Sequence, residues 1–152
     1  MANRGIWSLF GSNPTTVLSG ATLNALAGGS MSAASATYNN QTNLDLYCDV
    51  EVYLDPLSPS AGAHVDIYIL AAIDGTNFPA QSAADLRLTT TQLLCSIPIG
   101  TTASTAQRVA VRNVPLPPQP VQFKLDNQTG GTLAANNNNT VKIDTYSYNL
   151  NG

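Results

Sequence analysis

Histidine, cysteine and carboxylate side chains are where chemistry would begin, and this sequence places few of them usefully. Its single histidine, His64, sits inside an alternating run with no His-x-x-x-His or Cys-x-x-Cys spacing beside it. A general base needs a partner to act on or to orient it, and a zinc site needs three or four ligands. His64 therefore reads as an ordinary strand residue. Asp45, Asp49 and Glu51 share one parity of one run, and Asp66 would lie across from them if the next run pairs with it. Paired carboxylates could hydrolyse a glycoside or hold calcium. The same spacing is also what any half-solvated strand shows, and a solvated face is the reading adopted. Asp74-Gly75-Thr76-Asn77 offers oxygen ligands but lacks a twelve-residue calcium loop, and reads as an Asx turn. Two cysteines, Cys48 and Cys95, do not make a disulfide framework. Cys48 reads as a buried small hydrophobe, and a bridge between the two stays open. There is no Gly-x-Ser-x-Gly elbow, phosphate loop or dinucleotide fingerprint. The expectation is a protein that is not an enzyme and needs no cofactor or metal.

The elements that would position these residues are strands. Over residues 43–54, Leu44, Leu46, Cys48, Val50, Val52 and Leu54 alternate with Asp45, Tyr47, Asp49, Glu51 and Tyr53. Successive side chains of a strand point to opposite faces, so this predicts one long half-buried strand. Pro56, Pro59 and Gly62 end it in a loop. Residues 63–72 alternate likewise, with Ala63, Val65, Ile67 and Ile69 inward, and the two runs are predicted to pair antiparallel across the loop. Leu93, Cys95 and Ile97 mark a third strand, which Pro98 places at an edge. Val109 and Val111 mark a fourth, with Arg108 and Arg112 on its other face. Four prolines between Pro115 and Pro120 predict a stiff crossing between strands. Val121, Phe123 and Leu125 form another strand, residues 127–131 a hairpin turn, and residues 136–139, four asparagines, a loop tip. The last strand alternates Val141, Ile143 and Thr145 with Lys142, Asp144 and Tyr146. The sole helix candidate, residues 22–27, meets Gly28-Gly29 at once.

This pattern predicts an all-β fold, an antiparallel β-sandwich, with a jelly roll as the more specific expectation and a single barrel as its competitor. At 152 residues the chain suits one domain: an N-terminal arm over residues 1–20 and a single sandwich domain over residues 21–152. Only 10% of residues are charged, against roughly 25% in a typical soluble domain. Threonine, serine, asparagine and glutamine replace the missing ions and desolvate at less cost. Six scattered basic residues and a net charge of −3 leave no footprint for a phosphate backbone, so nucleic acid is not expected as a partner. The N-terminal residues show no apolar run of signal-peptide or membrane-anchor length, so no membrane is expected either.

An uncharged, adhesive surface remains. Ile6, Trp7, Leu9 and Phe10 cluster in the arm, which either caps the domain's own core or reaches a neighbouring subunit. Tryptophan is enriched among residues that dominate interfaces. Tyr146 and Tyr148 share one strand face, and tyrosine combines a wide ring with a polar tip. These six residues are the candidate protein-binding site.

Two stretches carry a family resemblance. DIYILAAIDGTNFP at residues 66–79, and PVQFKLDN at 120–127 together with YSY at 146–148, resemble segments of the small head-decoration (cement) proteins of tailed bacteriophages. The resemblance covers under half of the chain. It implies a β-sandwich made in the host cytoplasm and carried on the outer capsid surface of the virion. Its partners would be the major capsid protein and further copies of itself, as a dimer or trimer. Other expectations are a tail-tube, neck or adaptor subunit, and a carbohydrate-binding, fibre-tip-like sandwich.

Overall fold

The structure, a computed structural model, describes residues 5–9, 14–79 and 92–150, with the backbone alone for 5–9, 92 and 148–150. Among the described residues, ten strands and one helical turn follow one another. They are β1 (Gly5–Leu9), β2 (Thr15–Leu18), α1 (Gly20–Leu23), β3 (Ser30–Met31), β4 (Tyr38–Asn39), β5 (Tyr47–Leu57), β6 (His64–Ala71), β7 (Gln92–Pro98), β8 (Thr105–Pro115), β9 (Pro120–Gln128) and β10 (Thr140–Leu150). All pairings are antiparallel, in two sheets. In sheet A, β1 and β2 lie in tandem along one edge of β10, followed by β5 and β8. In sheet B, β3 and β4 lie in tandem along β9, followed by β6 and β7. The inner faces pack together around Phe123, Leu54, Ile67, Leu125 and Ile143, all at most 1% exposed. The result is an all-β sandwich with two separate sheets.

Alternation explains β5 well: Cys48, Val50, Val52 and Leu54 are buried, and Tyr47, Asp49, Glu51 and Tyr53 are half-buried on the outside. Each fully buried aliphatic side chain of this kind contributes about 1.5–3 kcal/mol. The strand runs through Pro56 instead of ending there. The register with β8 shifts between Leu54 and Leu57, and such an irregularity leaves a proline without a ladder bond to make. At the other end the strand is shorter than its pattern. Leu44 and Leu46, expected on the core face, are 55% and 53% exposed, while Asp45, expected outside, is 1% exposed. The cause is a left-handed turn at Leu44, φ 53°, which breaks the alternation before the ladder starts at Tyr47.

Two expected hairpins are absent. β5 and β6 do not pair; they are inner strands of opposite sheets, each with two other neighbours. The Pro59–Gly62 region carries the chain across the sandwich, about 10 Å between sheets, and not back alongside itself. Likewise Asn127 and Gln128 belong to β9, and the glycine turn after them leads across to β10 in sheet A. Asparagines 136–139 are not a free tip. Asn139 is fully buried, and its amide accepts from Asp55 N (3.0 Å) and donates to Ala134 O (2.7 Å).

Pro98 and the Pro115–Pro120 run lie where the sequence suggests, unlike Pro56. β7, with Pro98, is the outer strand of sheet B, and the Pro115–Pro120 connector leads from the outer strand β8 to β9 in the other sheet. The helix candidate at residues 22–27 is largely non-helical: the one helical turn is Gly20–Leu23, ending before Asn24, and its Leu23 enters the core. Part of the expected arm is sheet: β1 and β2 form the edge of sheet A against β10.

Candidate functional site: the outer face of sheet A

On the outside of sheet B, Leu70, Lys124 and Asp126 are 0%, 5% and 2% exposed, while His64, Asp66, Tyr68, Gln122 and Gln128 are half-buried. Burial lowers the pKa of Lys124. Asp66 lies here, in register with Asp126, and so is not across from Asp49 and Glu51. His64 rests Nδ1 on Gly62 O at 2.9 Å, with Nε2 3.8 Å from Asp66 Oδ2. Among the described residues no three His, Cys, Asp or Glu side chains are grouped to hold a metal. Asp74 forms the expected Asx turn, accepting from Asn77 N (2.7 Å) and Thr76 N (2.9 Å) at Oδ1 and from Asn77 Nδ2 (2.8 Å) at Oδ2. Those bonds, that from the Asn77 backbone foremost, hold its carboxyl down to about 2. Cys48 and Cys95 are free thiols, both pushed up to about 12 chiefly by burial.

Sheet A is different, because the outward parity of β10, β5 and β8 brings polar and aromatic groups into rows. Backbone register sets Leu9, Tyr146, Tyr47 and Pro115 in one row, with Trp7 opposite Tyr148. The Tyr47 and Tyr146 rings stack, centroids 6.1 Å apart and 26° between planes. The next row sets Asp144 opposite Asp49, and the one after that Lys142 opposite Glu51. Asp49 is the hub. Its Oδ1 accepts from the Tyr146 hydroxyl and from Asn113 N, both at 2.9 Å, and Arg112 Nε is 3.9 Å from Oδ2. Asn113 reaches this position because it adopts φ 61° where β8 slips register against β5, a conformation asparagine tolerates. Burial, then the bond to Asp49, pushes the Tyr146 phenol up to about 12. Further along, Arg108 Nη1 pairs with Glu51 Oε1 at 2.8 Å, and Arg108 Cζ lies 5.1 Å from the Tyr53 ring centroid. A half-open groove of about 200 Å³ runs between Pro14, Asp49, Glu51, Arg112, Lys142 and Asp144.

Of the sequence candidates, Tyr146 is central to this face. Ile6, Trp7 and Leu9 lie in β1, zipped by backbone onto the chain's own β10, with Tyr148 opposite Trp7. Phe10 lies outside the described residues. Tyr47, Asn113 and Arg112 were not singled out as site residues. Tyr47 had the same parity signal as Tyr146, whereas Asn113 depends on a register slip that no local pattern encodes. The face can hold a flat partner through rings and paired charges; it offers no nucleophile with a base beside it. No helix among the described residues is long and apolar enough to cross a membrane. No protein-family model matches this sequence, and no curated protein does.

Proposed function

We propose that this chain is a structural subunit of a virion, a decoration or cement protein. It binds the major capsid protein on the outer capsid surface and associates with its own copies as a dimer or trimer, without catalysing a reaction. One observation carries this reading: on the outer face of sheet A the Tyr47–Tyr146 stack is locked by Asp49 and Asn113 into a rigid surface of rings and paired charges suited to a flat partner. Its cations Arg108 and Arg112 already have acidic neighbours, so covering them strands less charge. The strand order supports reading the sandwich as a jelly roll. Among the described strands, six connections change sheets and β6 to β7 joins neighbours within one, and capsid and lectin domains use that architecture. In this reading the sheet A face joins copy to copy. Many such weak contacts, repeated over a shell, give stable decoration.

The test is the copy number of the chain in purified virions, by quantitative mass spectrometry. Hundreds of copies per particle support the shell reading, and a few dozen or fewer point to the tail, neck or adaptor subunit. A second reading, carbohydrate binding, is favoured by the groove between Asp49, Arg112, Lys142 and Asp144 beside the stacked tyrosines. Glycan-array binding that Arg112→Ala abolishes would support it, and a blank array would remove it.

A further inference from the structure

The two flanks of the sandwich are not alike. On one, β1 and β2 cover β10, and β3 and β4 cover β9. On the other, β7 and β8 end their sheets side by side, and among the described residues no strand pairs with their outer sides. An unpaired edge is a template for another strand. β7 is blunted: Pro98 offers no N–H, and the register with β6 shifts between Ile67 and Tyr68. The middle of β8 carries neither device. From Gln107 to Val111 it pairs with β5 residue for residue, Gln107 opposite Leu54 and Val111 opposite Val50, and the register slips only beyond those ends. Arg108 and Arg112 do charge this edge, but both lie on its outer face beside carboxylates of β5, not on the inner face where a charge would block a neighbour.

Both faces of β8 suit a second copy of itself. On the inner face, Val109 and Val111 pack on the core yet are only partly buried, as are Leu94 and Cys95 of the adjacent β7. A strand laid alongside covers them. On the outer face Ala106, Arg108, Ala110 and Arg112 alternate small and cationic, all exposed. Ala110 lies opposite Glu51, so a neighbour reaches that carboxylate over a single methyl group. The Glu51 side chain is 33% exposed; Arg108 takes its Oε1 at 2.8 Å, and among the described residues nothing bonds its Oε2. An antiparallel copy centred on Val109, the middle of the regular stretch, sets Val109 against itself, Arg108 opposite the other copy's Ala110, and Arg112 opposite the other copy's Ala106. Each Arg108 then stands in front of the other copy's Glu51. Centred on Ala110 instead, Arg108 faces Arg112, and like charges directly opposite are destabilising.

We infer that β8 is a self-association edge: two copies pair their β8 strands antiparallel about a two-fold axis at Val109, joining sheet A of both into one sheet. This goes beyond the decoration reading, and it holds or fails without a virion. It makes the free chain a dimer and sets two Tyr47–Tyr146 stacks on one continuous surface.

Sedimentation velocity of the full chain over about 1–100 μM tests this, a range that brackets micromolar affinity. Wild type should pass from monomer to dimer across it. Ala110→Lys puts a lysine opposite the other copy's Arg108 and should weaken the dimer at least about ten-fold. Adding Arg108→Glu to that variant restores opposite charges across the seam and should recover the dimer. Ala36→Lys, between β3 and β4 on the opposite flank, should leave it unchanged. Ala106→Lys, opposite Arg112, gives the same readout as Ala110→Lys should the latter fold poorly, and a wild-type near-ultraviolet circular dichroism spectrum establishes that each variant is folded. The edge assignment is overturned if wild type stays monomeric throughout or forms a trimer, or if folded Ala110→Lys and Ala106→Lys dimerise like wild type. A double variant no better than Ala110→Lys alone overturns the register at Val109.

Discussion

Asn40 shows how much one side chain can hold. It is fully buried, and its amide makes three bonds, to Asp45 N, Asp45 O and Pro117 O, all 2.8–3.0 Å. Removing it strands buried main-chain groups, at about 1–3 kcal/mol for each group left unpaired. Asn40→Ala should therefore lower unfolding free energy by about 2–4 kcal/mol in urea titrations, and an unchanged midpoint would show that the clamp is idle. A second residue-scale prediction concerns alkali. Cys48 rises from 9.0 to about 12 and Tyr146 from 10.0 to about 12. Between those values the unfolded chain gives up protons that the folded chain retains, so stability falls as pH rises from 9.0 towards 12. Under reducing conditions the urea midpoint should drop across this window, and Tyr146→Phe should flatten the part above pH 10. A variant with the full wild-type slope would contradict the Tyr146 share. Tyr146 was legible in the sequence because strand parity exposes it. Leu44 and Leu46 were misread because the apolar alternation continues through a segment whose backbone has already turned.

At the scale of elements, parity made the strands legible and said nothing about their partners. β5 and β6 look like a hairpin because they are adjacent, strongly alternating and separated by prolines. Yet both faces of a sandwich use the same inward parity, so a strand reads alike in either sheet. The two-residue strands β3 and β4 were invisible for a different reason. Each is held along β9, and Ser32 and Ser35 beside them accept from Leu125 N (3.0 Å) and Phe123 N (2.9 Å) through their hydroxyls. Serine and alanine give no period to read. Proline was informative at Pro98, in the outer strand β7, but misleading at Pro56, where a register irregularity lets the inner strand β5 continue. The contact between α1 and the 136–139 loop gives a prediction at this scale. A Cβ at Gly20 would lie 2.3 Å from Asn137 Cα, a main-chain atom that cannot swing aside. Gly20→Ala should destabilise by about 1–3 kcal/mol as the loop is pushed away, measured as a lower thermal midpoint. A neutral outcome would mean that the two segments separate freely.

For the molecule as a whole, the composition foretold an uncharged β protein, and the fold gives that composition a direction. The charges that remain are partly gathered and paired on the outer face of sheet A, the described loops of one end expose Leu44, Leu46 and Ile73, and the other end is an amide lattice around Asp55, whose carboxyl is held below its usual range first by the Asn138 hydrogen bond. Neither end was legible beforehand, since the loops of an end come from distant parts of the chain. The measurement that bears most directly on this account is a cryo-electron reconstruction of capsid shells incubated with the full chain. The account predicts added sandwich-shaped density over the outer shell surface, with neighbouring copies meeting through the outer face of sheet A. Shells that stay bare, or density confined to a tail or neck, would contradict it.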